Sequence, residues 1–464
     1  MGFSLLNCKL SKMLYYVIKN YKFMTEPIIT VGITSGKKIA LKIVGEYYLP
    51  RLNLYLHGRS YFEKSSRGIL LESTLGTYYI NENDVFVAAN EDNASFWVHN
   101  VKIGKGFHWE REEDQHFLGD FKFVLENGEI TLVNIIPLEL YLESVIGSEM
   151  SEHASSALLE SQAIVARSWT LAQLNNKNVI PHNEYREKGL RLRWRERDSH
   201  TLYDFCADDH CQRYQGIIKT STLRTAAAVD KTRGIALLEG EKICDARYSK
   251  SCGGVTELYE NVWSKTAHPC LESVYDFVAP TYYSDWDLSV EQNARKWILA
   301  KPEAFCNTED VTILKQILVD FDNETKDFFR WKKIFSQNEI AELIHKNLHH
   351  DFGEILDLIP VERGKSGRLI KLKIVGSKRE FIIGKELEIR KTLSESHLYS
   401  SAIVIEKENV VNNIPQRFVI YGAGWGHGVG MCQIGAAVMG HKGYKFDEIL
   451  AHYFPHAKIK RIYK

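Results

Sequence analysis

Proline is scarce in this chain, ten residues in 464, and no long stretch is dominated by polar or repetitive residues, so the composition marks no disordered tract. An excess of charge of one sign is missing too. Lysine plus arginine equals aspartate plus glutamate at 59 each, which removes any global attraction to nucleic acid or an acidic membrane, and no nucleic-acid partner is expected. Long hydrophobic runs are also absent. The first two dozen residues carry only short apolar pieces broken by Lys9, Lys12, Lys19 and Lys22, which gives neither a recognisable signal peptide nor a transmembrane segment. The strand pattern starts only after Met24, so residues 1–23 read as a poorly defined leader or a mis-called start. Eight cysteines are too few for a disulfide scaffold in a chain of this length, and no internal repeat is evident.

With 44% hydrophobic residues, the chain is long enough for one elaborated unit or two to three packed ones. EPIITVGI and KKIALKIVG alternate apolar and polar residues, and Thr34, Ser35 and Gly36 between them suggest a β-hairpin. Strand-like pieces follow at 76–80, 85–88, 95–98, 121–125 and 130–136, the last two joined by the turn signal Asn127-Gly128. A helix over PLELYLESVIG leads to Ser148-Glu149-Met150. A longer helix is expected from about Ser155 to Leu174, capped by Ser155 or Ser156, with Leu159, Ala163, Ala166 and Thr170 on its apolar face. The polar segment 175–198, with five arginines between Arg186 and Arg197, reads as an exposed excursion. Residues 284–350 turn helical, and 355–404 return to strands. The fold class is α+β: a β-rich part at 24–127, then a mixed part at 128–464 with a helical insertion at about 284–350.

His200, Cys206 and Cys211 bring borderline and soft ligands together within twelve residues, a set that suits zinc, although the C-x4-C spacing is looser than a C-x2-C site. Asp208, Asp209 and His210 are replacement ligands. A redox or disulfide pair and ordinary buried thiols are the other readings of the two cysteines. Glu149 lies between the apolar run Val145-Ile146 and Met150, which sets a carboxyl group on a cleft wall. Its plain alternatives are a cap for the next helix or a partner for Arg167. The glycines at 422, 424, 426, 428 and 430 alternate around Trp425 and His427, which lets backbone approach a ligand while a ring stacks on it; a tightly packed strand and turn is the other reading.

Three separated stretches carry a further pattern. The first is NIIPLELYLESVIGSEM followed by ALLESQAIVARSWTLAQ; the second is ARYSKSCGGVTE, trailed by NVW and PCLESVYD; the third is GAGWGHGVGMCQIGAAVMG with ILAHYFP. In content and order they resemble the signature of the SpoIID/LytB (stage II sporulation protein D) family. That signature has a PLE-Y-L segment with an SEM tripeptide and an Ala-rich helix, an S-x-x-GG-x-T-E segment, and a G-W-G-H-G-x-G-M-S-Q-x-G-A element with an HYYP ending. Cys432 stands where the family often has serine. Together with SGRLIKLKIVG, the resemblance covers residues 128–464.

The resemblance implies a cell-envelope protein acting on peptidoglycan glycan strands, with Glu149 as catalytic acid and zinc at a site like that of His200, Cys206 and Cys211. Hydrolases usually position two carboxylates, whereas a lytic transglycosylase needs one, because the 6-hydroxyl of muramic acid displaces the bond and leaves a 1,6-anhydro end. Only one candidate carboxylate falls in these motifs. Tyr248 and His210 are the assisting candidates, with a packed aromatic and a satisfied histidine as the plain alternatives. Ser251, Gly253, Gly254, Thr256 and Glu257 resemble a substrate-lining loop, and Trp425, His427 and Gln433 are the expected glycan contacts. Arg167 is expected to be a structural partner. The alternative within the same family is a non-catalytic wall-binding enhancer of a separate wall amidase.

Overall fold

Asn127 and Gly128 adopt φ values of 50° and 85°, the left-handed pair that a two-residue hairpin turn requires, and they place Glu126 opposite Glu129. The hairpin so formed, Asp120–Glu126 with Glu129–Pro137, lies inside an eleven-stranded sheet. The structure, a computed structural model, describes residues 25–104, 110–151, 153–175, 184–195, 200–208, 210–217, 223–278, 285–317 and 327–464. The leader at 1–23 and Asp209 lie outside the described residues. Strands Gly76–Ile80, Val85–Ala88 and Ser95–Ile103 fall where the alternation puts them.

One expected hairpin is not formed. Ile28–Gly36 pairs with Glu129–Pro137 on one side and, in parallel, with Phe205–Cys206 on the other, while Lys38–Leu49 pairs with Leu54–Ser65 and Ser95–Ile103. Thr34 and Ser35 stay in the ladder opposite Leu132 and Thr131, and the Ser35 hydroxyl lies 2.8 Å from that of Thr131. The chain changes course only at Lys37, which sends the next strand to a different part of the sheet.

Helices α1 (Leu138–Glu149) and α2 (Ser156–Asn175) follow the sheet without a break in the apolar core. Leu138, Leu142 and Val145 of α1 and Leu158, Val165 and Trp169 of α2 join one cluster with Val31, Leu132 and Phe205 of the sheet. The boundary expected at 127/128 therefore falls within a hairpin, and the β-rich part shares its core with these two helices. Ser155 caps α2, its hydroxyl accepting the Leu158 amide at 3.3 Å. A buried ion pair ties the two helices together: Arg167 of α2 donates to both carboxylate oxygens of Glu139 in α1, at 2.9 and 2.6 Å. The Tyr463 hydroxyl and the Gly234 amide also donate to Glu139, and Arg167 reaches the Val229 carbonyl in α3 (Leu223–Lys231).

The expected helical insertion is mixed. It holds α4 (Glu291–Leu299) and α5 (Gln337–Leu348), but between them Arg330–Ser336 is a strand paired with Ile414–Ala423. Trp331 and Phe335 give this strand its inward contacts. Trp331, Ile340, Leu358, Leu372, Ile383 and Phe418 form a second core that also takes in Ile389 of α6 (Glu386–Thr392), so a lobe with its own interior runs to about residue 423. The excursion expected at 175–198 contributes an exposed hairpin, Glu184–Glu187 with Leu190–Arg193, added to the sheet of this lobe through Leu190–Leu192. The architecture is α+β.

Burial by itself would push the Glu139 carboxyl up, yet Arg167, Tyr463 and Gly234 hold it below its ordinary value. A depressed folded-state pKa stabilises the fold above the unfolded-state value, and that contribution is lost as pH falls through the folded value. Arg167→Met is expected to cost about 3–5 kcal/mol in urea unfolding at neutral pH. Its effect should shrink as pH falls below the ordinary glutamate value toward the lower folded-state one, as the carboxylate protonates; an equal cost at neutral and acid pH would contradict the assignment.

Candidate functional site

Glu149 is the last residue of α1, 9% exposed, and its carboxylate faces the Gln433 amide at 3.5 Å. Gln433 opens α7 (Gln433–His441), so the first and third sequence motifs meet at this point. The two plain alternatives for Glu149 do not apply. Arg167 is engaged by Glu139, and α2 is capped by Ser155.

The second motif arrives through a short parallel pairing of Tyr248–Ser249 with Met431–Cys432, continued by the Ile434 amide bonding the Lys250 carbonyl at 3.1 Å. Tyr248 is half-buried, and its hydroxyl donates to Gln212 at 3.1 Å. Gln212 adjoins the histidine and cysteine segment, so Tyr248 links that segment to the Glu149 side of the molecule.

His200, Cys206, His210 and Cys211 place one donor atom each within 4.8 Å of one another. Cys211 Sγ lies 3.5 Å from His200 Nε2 and 3.6 Å from His210 Nδ1, and Cys206 Sγ lies 3.9 Å from the same Nδ1. The Cys206 thiol is pushed down to about 2, first by its contact with Cys211 and also by His200 and His210, against the opposing push of burial. Two thiolates and two imidazoles at this spacing could hold a metal ion, and with four protein donors the site would be closed. His210, an assisting candidate and a replacement ligand on sequence grounds, sits among the donors. Because Phe205–Cys206 pairs with Val31–Gly32, a metal here would pin the 200–211 segment to the edge of the large sheet.

Other sequence candidates are packed into the interior. Ser251 and Thr256 have no exposure and do not line an open surface, and the Thr256 hydroxyl braces a turn by accepting the Val274 amide at 2.8 Å. Glu257 is also buried and accepts from Leu258, Asn261, Lys365 and Ser366, which fastens the second lobe to this loop. The alternating glycines bring chain against chain. A Cβ at Gly424, where φ is 77°, would lie 2.8 Å from the Ser251 carbonyl, and one at Gly253 would lie 2.8 Å from the Gly424 nitrogen. The packing explanation of these glycines is therefore the operative one. Trp425 is half-buried with its ring stacked on Tyr399 at 3.8 Å.

His427 is buried, and burial, followed by the charges of Arg195, Arg247, Arg368 and Arg390, pushes it well below the ordinary imidazole range. The Val429 amide donates to its Nδ1 at 3.0 Å, which leaves the proton of the neutral ring on Nε2. Trp263 meets His427 edge-on at 5.4 Å and carries Arg247 at 4.0 Å and Arg195 at 4.8 Å from its ring centre. Sequence reasoning passed over Trp263 and these arginines; the NVW segment after the second motif was the one signal for the ring.

Residues 126–238 match the family described as stage II sporulation protein, and residues 257–430 match a domain of unknown function, DUF8618. The first of these matches overlaps the segment whose motifs resemble the SpoIID/LytB (stage II sporulation protein D) signature, and it supports that resemblance over residues 126–238. An uncharacterized protein of Brachyspira hyodysenteriae is 26% identical over 440 residues, 94% of this chain and 93% of that protein. The amidase enhancer of Bacillus subtilis is 26% identical over 317 residues, 68% of this chain and 39% of the enhancer, so the chain spans well under half of that relative's length.

The donor cluster leads to a direct expectation. The purified chain should carry a transition metal, and Cys206→Ser with Cys211→Ser should remove one equivalent by elemental mass spectrometry and speed proteolysis around residues 200–211. Unchanged metal content in the double variant would sink the assignment.

Proposed function

We propose that the protein is an envelope-located peptidoglycan lytic transglycosylase, with Glu149 as acid and then base and with zinc held by His200, Cys206, His210 and Cys211. The observation that carries this reading is the meeting of Glu149 with Gln433, 284 residues away, which joins the first and third family motifs in one wall. Zinc suits a donor set of two thiolates and two imidazoles, and bound there it would stiffen the segment behind Tyr248.

In the proposed reaction Glu149 protonates the glycosidic oxygen as the bond between N-acetylmuramic acid and N-acetylglucosamine breaks. The resulting carboxylate takes the proton of the muramic 6-hydroxyl, whose oxygen closes on C1 to leave the 1,6-anhydro end. The carboxylic acid is restored and no water is consumed. The Gln433 amide holds the carboxylate in one orientation through both steps. Trp263, with Arg195 at 4.8 Å from its ring centre, places an aromatic ring beside a cation, a pairing that suits a sugar bearing a free carboxylate, while Arg247 on the same ring is held by Asp245.

Envelope location is supported by the disulfide between Cys244 and Cys270, since such bonds persist in oxidising compartments. Among the described residues no helix is long and apolar enough to cross a membrane. One observation favours a second reading: the Bacillus subtilis relative is named an amidase enhancer. Under that reading the same wall binds glycan and raises the activity of a separate wall amidase without breaking a bond.

The two readings separate on intact and amidase-stripped peptidoglycan analysed by mass spectrometry. The native chain should release fragments with 1,6-anhydro ends, and Glu149→Gln should lower their rate by about a hundred- to ten-thousand-fold. Equal release by the variant would remove Glu149 from the chemistry. No release by either chain, with stimulation of an added amidase by both, would establish the enhancer reading instead.

A further inference from the structure

We propose that Cys252, Asp276, Cys306 and Cys432 form a second metal site, a closed tetrahedral zinc centre, separate from the histidine and cysteine cluster and independent of the glycan chemistry proposed above. The four residues come from distant parts of the chain. Cys252 lies in the loop after Tyr248–Ser249, Asp276 in the segment that bridges back to Gly254, Cys306 in the turn after α4, and Cys432 at the cap position before α7. Their donor atoms nevertheless lie within 4.8 Å of one another, and none of the four residues is more than 2% exposed.

The spacing distinguishes a metal site from a disulfide. Cys252 Sγ and Cys306 Sγ are 3.7 Å apart. A disulfide bond is about 2.0 Å long, whereas sulfurs at about 2.3 Å from a tetrahedral zinc ion are about 3.8 Å from one another. The surroundings also suit ligated thiolates. The Cys252 amide points at Cys432 Sγ and the Gly254 amide at Cys252 Sγ, both at 3.3 Å, which is the N–H to sulfur pattern that steadies thiolate ligands. Asp276 is oriented on both sides: Tyr453 of α8 (Phe446–Tyr453) donates to Oδ1 at 2.5 Å, and the Cys306 amide donates to Oδ2 at 2.8 Å.

Charge supplies an independent argument. Binding zinc displaces three thiol protons and leaves three thiolates, one carboxylate and a dication, a net charge of minus two. Two guanidinium groups flank the site: Arg330 donates to the Gly253 carbonyl and Arg368 to the Cys252 carbonyl, each at 3.0 Å. Arg330 also donates to the carbonyls of Ala300, Trp297 and Phe329, and Arg368 to the Ser366 hydroxyl and the Gly426 carbonyl. Neither forms a salt bridge among the described residues, and Arg368 has no exposed surface. Arg368 has Glu257 and Glu386 as nearby countercharges, while Arg330 faces the cluster, where without a metal Asp276 is the one carboxylate beside three thiols; a dianionic metal centre adds to the compensation of both buried cations. Soft thiolate ligands with one carboxylate, and no open position, select zinc in a structural role. The centre would lock the second motif to the start of α7 and so fix Gln433, the residue that faces Glu149.

Metal content and X-ray absorption at the zinc edge test this on the native full-length chain. The two clusters together predict two zinc ions per chain and five sulfur ligands among eight, from Cys206, Cys211, Cys252, Cys306 and Cys432. In the Cys206→Ser, Cys211→Ser chain one zinc should remain, bound by three sulfurs at about 2.3 Å and one oxygen, and Asp276→Asn in that background should weaken its retention against a chelator at least tenfold. No zinc in the native chain, or one zinc with only two sulfurs, would overturn the proposal, as would a Cys252–Cys306 disulfide found by peptide mapping. The native-chain measurement stands even if a variant fails to fold.

Discussion

The buried pair between Glu139 and Arg167 is the contact on which the main body depends. It joins α1 to α2, receives Tyr463 from the end of the chain and Gly234 from the segment after α3, and is sealed from water. A guanidinium in that setting is tolerable only because both carboxylate oxygens and the Val229 and Ile235 carbonyls meet its donors. The pair also sets the position of Glu149. Glu139 and Glu149 lie ten residues apart on one helix, about 15 Å along its axis, so fixing the first aims the second at the wall where Gln433 waits.

The glycine-rich motif does its structural work by close approach. Gly253 and Gly424 let the second and third motifs touch backbone to backbone, and the pairing of Tyr248–Ser249 with Met431–Cys432 extends that contact. The same approach gathers Cys252 and Cys432. Glu257 then attaches the second lobe by accepting from Lys365 and Ser366, so the lobe has its own apolar interior but is anchored by a polar junction at the centre of the molecule.

Electrostatics divide this central region into two environments. Around His427 burial and the nearby arginines keep the imidazole neutral, and Trp263 carries Arg195 and the Asp245-paired Arg247 against its ring. Around Cys206 the contact with Cys211, and then His200 and His210, favour thiolate. The two are linked through Tyr248, which reaches Gln212 beside the cysteines while its strand pairs with the segment leading to Gln433.

By itself the sequence determined the local elements and singled out candidate groups for the site. The Asn-Gly turn, the strands at 76–80 and 85–88, the capped helix beginning at Ser156, and the weight placed on Glu149, Gln433 and the histidine and cysteine segment all follow from short-range rules: turn chemistry, alternation, capping and motif order. Only the tertiary structure decided which strands pair. Alternation in Ile28–Gly36 and Lys38–Leu49 marks two strands but carries no information on partners, and the first took the hairpin at 120–137 where a neighbouring hairpin was expected. Likewise, strand Arg330–Ser336 owes its form to Ile414–Ala423, and the gathering of Cys252, Asp276, Cys306 and Cys432 joins residues up to 180 positions apart. Such contacts depend on the closure of long loops around a shared core, and no local pattern in the chain records them.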